Sequence, residues 1–192
     1  MHYNILIKGA NTGLGKSLAI KFKSEGHLVF EHLGHNHYDL SKIEDIELLI
    51  KEAKSCKVNV LINNAAILCP NTEFSKYDTN KIVKMMNVNL LAPILLIHGL
   101  REQLLNIINI NSIVALEPKK NRMIYSATKC GLGGFSESLK ISENISKILD
   151  VYSTNIKTNS SIKNAMELDF VVNSIYEAFI NQQEKLILDG RN

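Results

Sequence analysis

The sequence predicts a doubly wound α/β fold, a single domain in which helices cover both faces of a parallel sheet. Three observations predict it. Short apolar runs alternate with longer segments of helical period, a glycine cluster falls between the first run and the first helix, and 192 residues with 45% hydrophobic and 21% charged content suit one globular domain.

Ile5-Leu6-Ile7 is the first buried strand. Leu14, Leu18 and Phe22 then recur every fourth residue, which predicts a helix packed by one side and stopped at Gly26. Leu28-Val29-Phe30 is the second strand. Ser41-Lys42-Ile43-Glu44 has the form of a capping box, and Ile43, Ile46, Ile50 and Ala53 supply the buried stripe expected after it. Val58 to Ile62 reads as a third strand, Asp78 to Leu100 as one long helix kinked by Pro93, and Leu105 to Ile110 as a fourth strand. Met123 to Ile141 carries Leu132, Phe135 and Leu139 at helical spacing; Ile148 to Tyr152, Glu167 to Asn181 and Leu186 to Leu188 complete the alternation as strand, helix and strand.

The formal charge of +3 is mild and the lysines are scattered, so nothing demands a nucleic acid. The first residues lack the pattern of an export signal, no apolar run is read as long enough to cross a bilayer, and no membrane partner is expected. Cys56, Cys69 and Cys130 are odd in number and widely spaced, which argues against a disulfide framework and for a cytoplasmic protein with buried, inert thiols. His35 and His37 lack the companions a metal site requires, so no metal is expected.

The chemistry concentrates in two places. Lys8-Gly9-Ala10-Asn11-Thr12-Gly13-Leu14-Gly15 sits between the first strand and the first helix, where a Rossmann-like sheet binds a dinucleotide. Gly9 and Gly13 would allow a tight turn and close backbone approach to a pyrophosphate, and Gly15 would allow close helix packing. Tyr125 and Lys129 stand one helical turn apart, with Ser112 thirteen positions before the tyrosine, so a phenol and an ammonium reach one cleft side by side.

Taken in order, the glycine pattern, Asn63-Asn64-Ala65-Ala66, Asn89, Ser112, and Tyr125 with Lys129 resemble the short-chain dehydrogenase/reductase family over about residues 5 to 158. The resemblance implies an NAD(P)-dependent oxidoreductase that passes a hydride between nicotinamide and a small-molecule carbonyl or alcohol. It makes Tyr125 the general acid/base, Ser112 the donor to the substrate oxygen, Lys129 a partner of the ribose hydroxyls, and Asn89 the residue holding a water that leads protons toward the lysine. A phenol with an ordinary pKa near 10 needs roughly 4 kcal/mol of preference for its anion to serve at pH 7, expected from Lys129 and the oxidised nicotinamide.

The same resemblance gives the cofactor contacts. Gly9, Asn11, Thr12, Gly13, Leu14 and Gly15 form the pyrophosphate turn, Asp39 and Leu40 meet the adenine, and Asn64, Ala65 and Ala66 line the adenosine ribose. Ile156 and Thr158 hold the carboxamide. The position that chooses between cofactors falls at Leu33, which is neither acidic nor basic. His32, His35 and His37 beside it would meet a phosphate if protonated, which leans the reading to NADP(H).

Four departures from the family pattern stand out: Lys8 in place of threonine, Ala66 in place of glycine, Ser153-Thr154 in place of Pro-Gly, and only Glu31 to Tyr38 where a helix and strand usually stand. A short segment after Thr158 implies an open substrate site, with Ser160, Ile162, Met166 and Leu168 as its candidate lining. Gly131, Gly133 and Gly134 inside one helix invite a packing role, and the family resemblance implies a homodimer or homotetramer. The competing reading is a catalytically silent dinucleotide-sensing or partner-binding module.

Overall fold

Ile5, Leu6 and Ile7 are buried in β1 (Asn4–Lys8) because both faces of this strand are covered. The computed structural model describes residues 2–68, 73–142, 147–158 and 165–191. The remaining strands are β2 (Leu28–His32), β3 (Val60–Asn63), β4 (Asn106–Ile110), β5 (Lys147–Ser153) and β6 (Lys185–Leu188), all parallel in the order β2-β1-β3-β4-β5-β6. Helices α1 (Gly13–Ser24) and α6 (Leu168–Ile180) pack together on one face, burying Leu14, Leu18 and Phe22 against Ile5 and Ile7. On the other face, α2 (Ile43–Ser55), α4 (Ala92–Leu100) and α5 (Met123–Ser142) cover Leu6, Leu61 and Ile107.

This is the common doubly wound order 3-2-1-4-5-6 with its third strand missing and one strand added at the far edge. The short stretch after β2 explains the loss. Residues 33–42 lead straight into α2, which carries the crossover to β3 on the opposite side of β1. β2 is therefore an edge strand, and Leu28 is 56% exposed. The order of winding reverses between β1 and β3, although the strands stay parallel, and a doubly wound sheet opens its cleft there, at the carboxyl ends of the strands.

The expected capping box at Ser41 does not form. Ser41 gives its N–H and hydroxyl to Asp39 Oδ1 at 3.0 and 2.7 Å, Lys42 occupies the N-cap without a side-chain bond, and the helix starts at Ile43. Its buried stripe is Ile46, Leu49 and Ala53, and Ile43 lies outside it, half exposed.

The long helix from Asp78 is broken before Pro93 rather than kinked at it. Asp78 caps α3 (Thr79–Met86) by accepting the Lys81 N–H at 3.0 Å, a π-turn spans Asn87–Leu91, and Ala92 donates to Asn87 O. Pro93 has no N–H for the Asn89 carbonyl, and the wide turn takes up the mismatch. Contrary to the reading of the sequence, Thr79–Leu100 is long and apolar enough by length and composition to cross a membrane. Its apolar side chains serve the core instead: Met85, Val88, Ala92, Leu96, Ile97 and Leu100 are buried.

The cysteines also differ from expectation. Cys56 is half-buried and Cys130 exposed, both as free thiols, and Cys69 lies outside the described residues. Gly131 and Gly133 meet their own chain: a Cβ would stand 3.0 Å from Leu90 and 3.1 Å from Tyr152 Oη, respectively. Gly134 faces open space.

Candidate active site

Gly9 and Gly13 adopt left-handed backbone, at φ +69° and +52°, and turn the chain sharply between β1 and α1. Gly15 is required for a different reason, since a Cβ there would stand 2.1 Å from the Gly9 carbonyl oxygen. The Asn64 amide ties this turn to β3 by donating to the Lys8 and Gly9 carbonyls, both at 3.0 Å.

Above the turn lies a cleft of about 680 Å³. Of the cofactor residues expected from the sequence, Gly9, Asn11, Thr12, Gly13, Leu14, Asp39, Leu40, Asn64, Ala65, Ala66 and Thr158 line it. Gly15 lies beneath it, and Leu33 is half exposed away from it. Ile156 lines a second lobe of about 390 Å³ with Ser112, Tyr125 and Lys129. Asn64, Ala66 and Thr158 line both lobes, so the two adjoin.

The Ser112 hydroxyl lines this lobe with the Tyr125 phenol, lies near enough to favour its anion, and donates to the Ser153 carbonyl at 3.5 Å. Lys129 is buried, donates to the Ile110 carbonyl at 2.7 Å, and places its Nζ 5.8 Å from the centre of the Tyr125 ring. Burial lowers its pKa to about 8. The expected acidification of Tyr125 is not built into the protein alone. Burial pushes the phenol up, the Ser112 hydrogen bond and the Arg122 charge offset only part of this, and Lys129 is not among the groups acting on it.

Asn89 lines neither lobe. Its Oδ1 accepts the Ile67 N–H at 2.7 Å, and its Nδ2 donates to the Ile67 carbonyl at 2.9 Å and to Thr128 Oγ1 at 3.3 Å. The side chain thus clamps the segment after Asn64-Ala65-Ala66 to the π-turn and to α5. Asp39 stands at the far end of the cleft. Burial pushes its carboxyl up, but hydrogen bonds from Ser41 and the charges of Lys84 and Lys42 outweigh that and leave it below its ordinary value.

The histidines divide. His32 accepts the Gly9 N–H on Nδ1 at 3.4 Å and gives Nε2–H to the Tyr38 carbonyl at 2.8 Å, while burial lowers its pKa, so it is a neutral strut and not a phosphate ligand. His37 packs on Tyr38 with ring centres 4.4 Å apart and lies outside the cleft; His35 lines it. Lys8 is fully buried beside this group, with no hydrogen-bond acceptor among the described residues, and burial followed by the Lys129 charge lowers its pKa strongly.

The short chain dehydrogenase family description matches residues 31–167, well over half of the chain. This chain belongs to the short-chain dehydrogenase/reductase family. It is 26% identical over 215 residues to an NADPH-dependent 1-acyldihydroxyacetone phosphate reductase of Schizosaccharomyces pombe, covering 98% of this chain and 71% of the relative. Of two further curated relatives, the chain spans only 64% and 51% of the length. Among solved structures, a bulky-bulky ketone specific alcohol dehydrogenase from Comamonas testosteroni superposes with a TM-score of 0.86 at 20% identity, over 96% of this chain and 85% of the other. An alcohol dehydrogenase from Thermococcus sibiricus complexed with 5-hydroxy-NADP gives 0.81 at 18% identity, over 98% and 96%. These structural likenesses show the same fold.

In this family member, Met166 and Leu168 pack against the core and line neither lobe; Ser160 and Ile162 lie outside the described residues. Thr154, in the segment that departs from Pro-Gly, does line the Tyr125 lobe. Sequence reasoning missed Lys84 and Val88, which line the cleft above the glycine turn, and Lys119 and Arg122, which line the Tyr125 lobe. For Arg122 a signal existed. It precedes Tyr125 by three positions and so shares its helix face.

Proposed function

We propose that this family member is an NAD(P)(H)-dependent carbonyl reductase or alcohol dehydrogenase, with NADP(H) preferred. The observation that carries the reading is that the cleft above the glycine turn adjoins, through Asn64, Ala66 and Thr158, the lobe holding Ser112, Tyr125 and Lys129. A dinucleotide fits there. A Cβ at Gly9 would come within 3.0 Å of Ala65, and one at Gly13 within 3.1 Å of Thr158, so both glycines keep the cradle open. When bound, the cofactor supplies or accepts the hydride.

The chain's own residues do the rest. Gly9 to Gly15 and the start of α1 receive the pyrophosphate, and Asp39 and Leu40 border the adenine. The Ser112 hydroxyl donates to the substrate oxygen as charge builds there. Tyr125 gives its proton to that oxygen in reduction and takes one in oxidation. Lys129 exchanges the Ile110 carbonyl for the ribose hydroxyls and stands as a cation beside the phenol, and Asn89 holds the wall of the proton path. Preference for NADP(H) is supported by His35 and Lys84 in the cleft and by the NADPH and NADP named for the two relatives above.

The reading extends to a cytoplasmic homodimer or homotetramer. Met123, Ala127, Cys130, Gly134 and Ile141 form an exposed stripe along α5 at spacings of four, three, four and seven, the pattern of a helix seam. Unbridged Cys56 and Cys130 suit a reducing compartment.

The alternative, a silent dinucleotide-binding module, draws support from the phenol that burial pushes up rather than down. One experiment separates the two. NADPH and NADH binding are measured by fluorescence, and a panel of carbonyl compounds is then assayed for NADPH oxidation with wild type and Tyr125→Phe. The enzyme reading expects turnover that falls about 10²–10⁴-fold in the variant, with NADPH affinity kept. Tight binding without any turnover sinks it.

A further inference from the structure

Residues 116–121 connect the Ser112 end of the Tyr125 lobe to α5, and Lys119 within them lines the lobe. Their own backbone holds them weakly. Ala115, Leu116 and Glu117 donate to the nearby Ser112 and Ile113 carbonyls at 2.9, 2.9 and 2.8 Å, and Pro118 has no N–H to give. Asn121 turns the chain at φ +61°. Among the described residues, no backbone hydrogen bond ties residues 116–121 to the sheet.

The tie comes from the end of β6. Arg191 meets Glu117 with both arms of its guanidinium, Nη1 to Oε2 at 2.6 Å and Nη2 to Oε1 at 3.2 Å, and gives its Nε–H to the two Asp189 oxygens at 2.8 and 3.1 Å. Hydrogen bonds from Arg191 hold both carboxyls below their ordinary range, and the charge of Lys119 acts on each in the same direction. Two cations and two anions therefore balance across the gap between β6 and the wall of the lobe. Beside them, Gly190 gives its N–H to Thr154 Oγ1 at 3.0 Å, and Thr154 lines the same lobe. An isolated exposed ion pair contributes little, whereas a two-armed arginine contact within a network fixes geometry. Arg191 itself lines neither lobe.

We infer that Arg191 is a positioning residue: through Glu117 it clasps residues 116–121 to the end of β6 and so sets the wall of the lobe in which Ser112 and Tyr125 meet a carbonyl compound. The effect on a carbonyl substrate rests on the reductase reading above, and the clasp does not.

The test separates them. Wild type, Arg191→Gln, Glu117→Gln and the double variant, each saturated with NADPH, are compared by hydrogen exchange read by mass spectrometry. Kinetics are measured on the carbonyl compound of the panel that wild type reduces fastest. The amides of Ala115, Leu116 and Glu117 are expected to exchange about three- to fivefold faster in each single variant, and no faster again in the double, because the two side chains act as one tie. Sodium chloride at about 0.5 M moves wild type toward the variants. KM rises by a similar factor, while kcat and NADPH affinity stay within about twofold. Unchanged exchange in the single variants overturns the inference, as do additive losses in the double variant or faster exchange with KM unmoved. Absence of turnover in every protein, wild type included, overturns the reductase reading, and exchange alone then decides the clasp.

Discussion

Lys8 carries the least compensated charge among the described side chains, since its amine is fully buried without an acceptor and lies close enough to Lys129 for the two charges to repel. Removing an unpaired buried charge in favour of an apolar side chain of similar length stabilises a fold, so Lys8→Met should raise stability by about 1–2 kcal/mol, or roughly 2–8 °C in Tm. The pH dependence has a definite sign. Lys8 and Lys129 release their protons at lower pH in the folded chain than in the unfolded chain. Between about 8, the folded value for Lys129, and the ordinary 10.5, the unfolded chain therefore binds more protons and stability rises with pH. Wild-type Tm should climb from pH 7.5 to 9.5 and climb less in Lys129→Met; a flat wild-type profile would contradict the burial of these amines. The spacing of Ser112, Tyr125 and Lys129 was legible because one helix and one strand end fix it. The protonation of His32 was not, because it depends on a bond from Gly9 across two strands.

Asn89 shows how an element positions a site it does not enter. The π-turn swings its side chain onto Ile67 and Thr128, so three hydrogen bonds join the β3 loop, the broken helix and α5. Asn89→Ala should lower urea-unfolding stability by about 1–3 kcal/mol and weaken NADPH binding, because the Ala65-Ala66 wall loses its clamp. An unchanged NADPH affinity would restrict Asn89 to a role outside that wall. Helical periodicity revealed the apolar residues on both sides of this break and Pro93 gave its neighbourhood. Periodicity cannot show a five-residue π-turn, since one extra residue shifts the stripe by less than a third of a turn. The capping box failed for a related reason: Ser41 had a nearer acceptor in Asp39.

At the scale of the molecule, the stripe on α5 makes a prediction about mass. Light scattering at micromolar concentration should report a dimer or tetramer, and Gly134→Arg should release monomers that still bind NADPH; an unaltered mass would place the interface elsewhere. The parallel sheet with helices on both faces followed from the alternation of apolar runs with helices, and the missing unit was visible as a stretch too short to hold it; the order of the strands was not, because alternation does not fix which strands are neighbours. Which residues would close the substrate lobe was not visible, because loop side chains obey no period.

The open margin at β2 has a consequence for engineering. With no neighbour beyond it, Val29 and Glu31 turn their amide and carbonyl groups outward, because the alternate residues Leu28 and His32 bond to the Tyr3 and Ala10 backbone. A helix and strand spliced into the loop at residues 33–38 would find a ready template there and wall in the side of the cleft lined by Gly34, His35 and Asp39. The fold is thus open to growth at that margin, and the chain offers a scaffold for asking what the omitted layer contributes to choosing between cofactors.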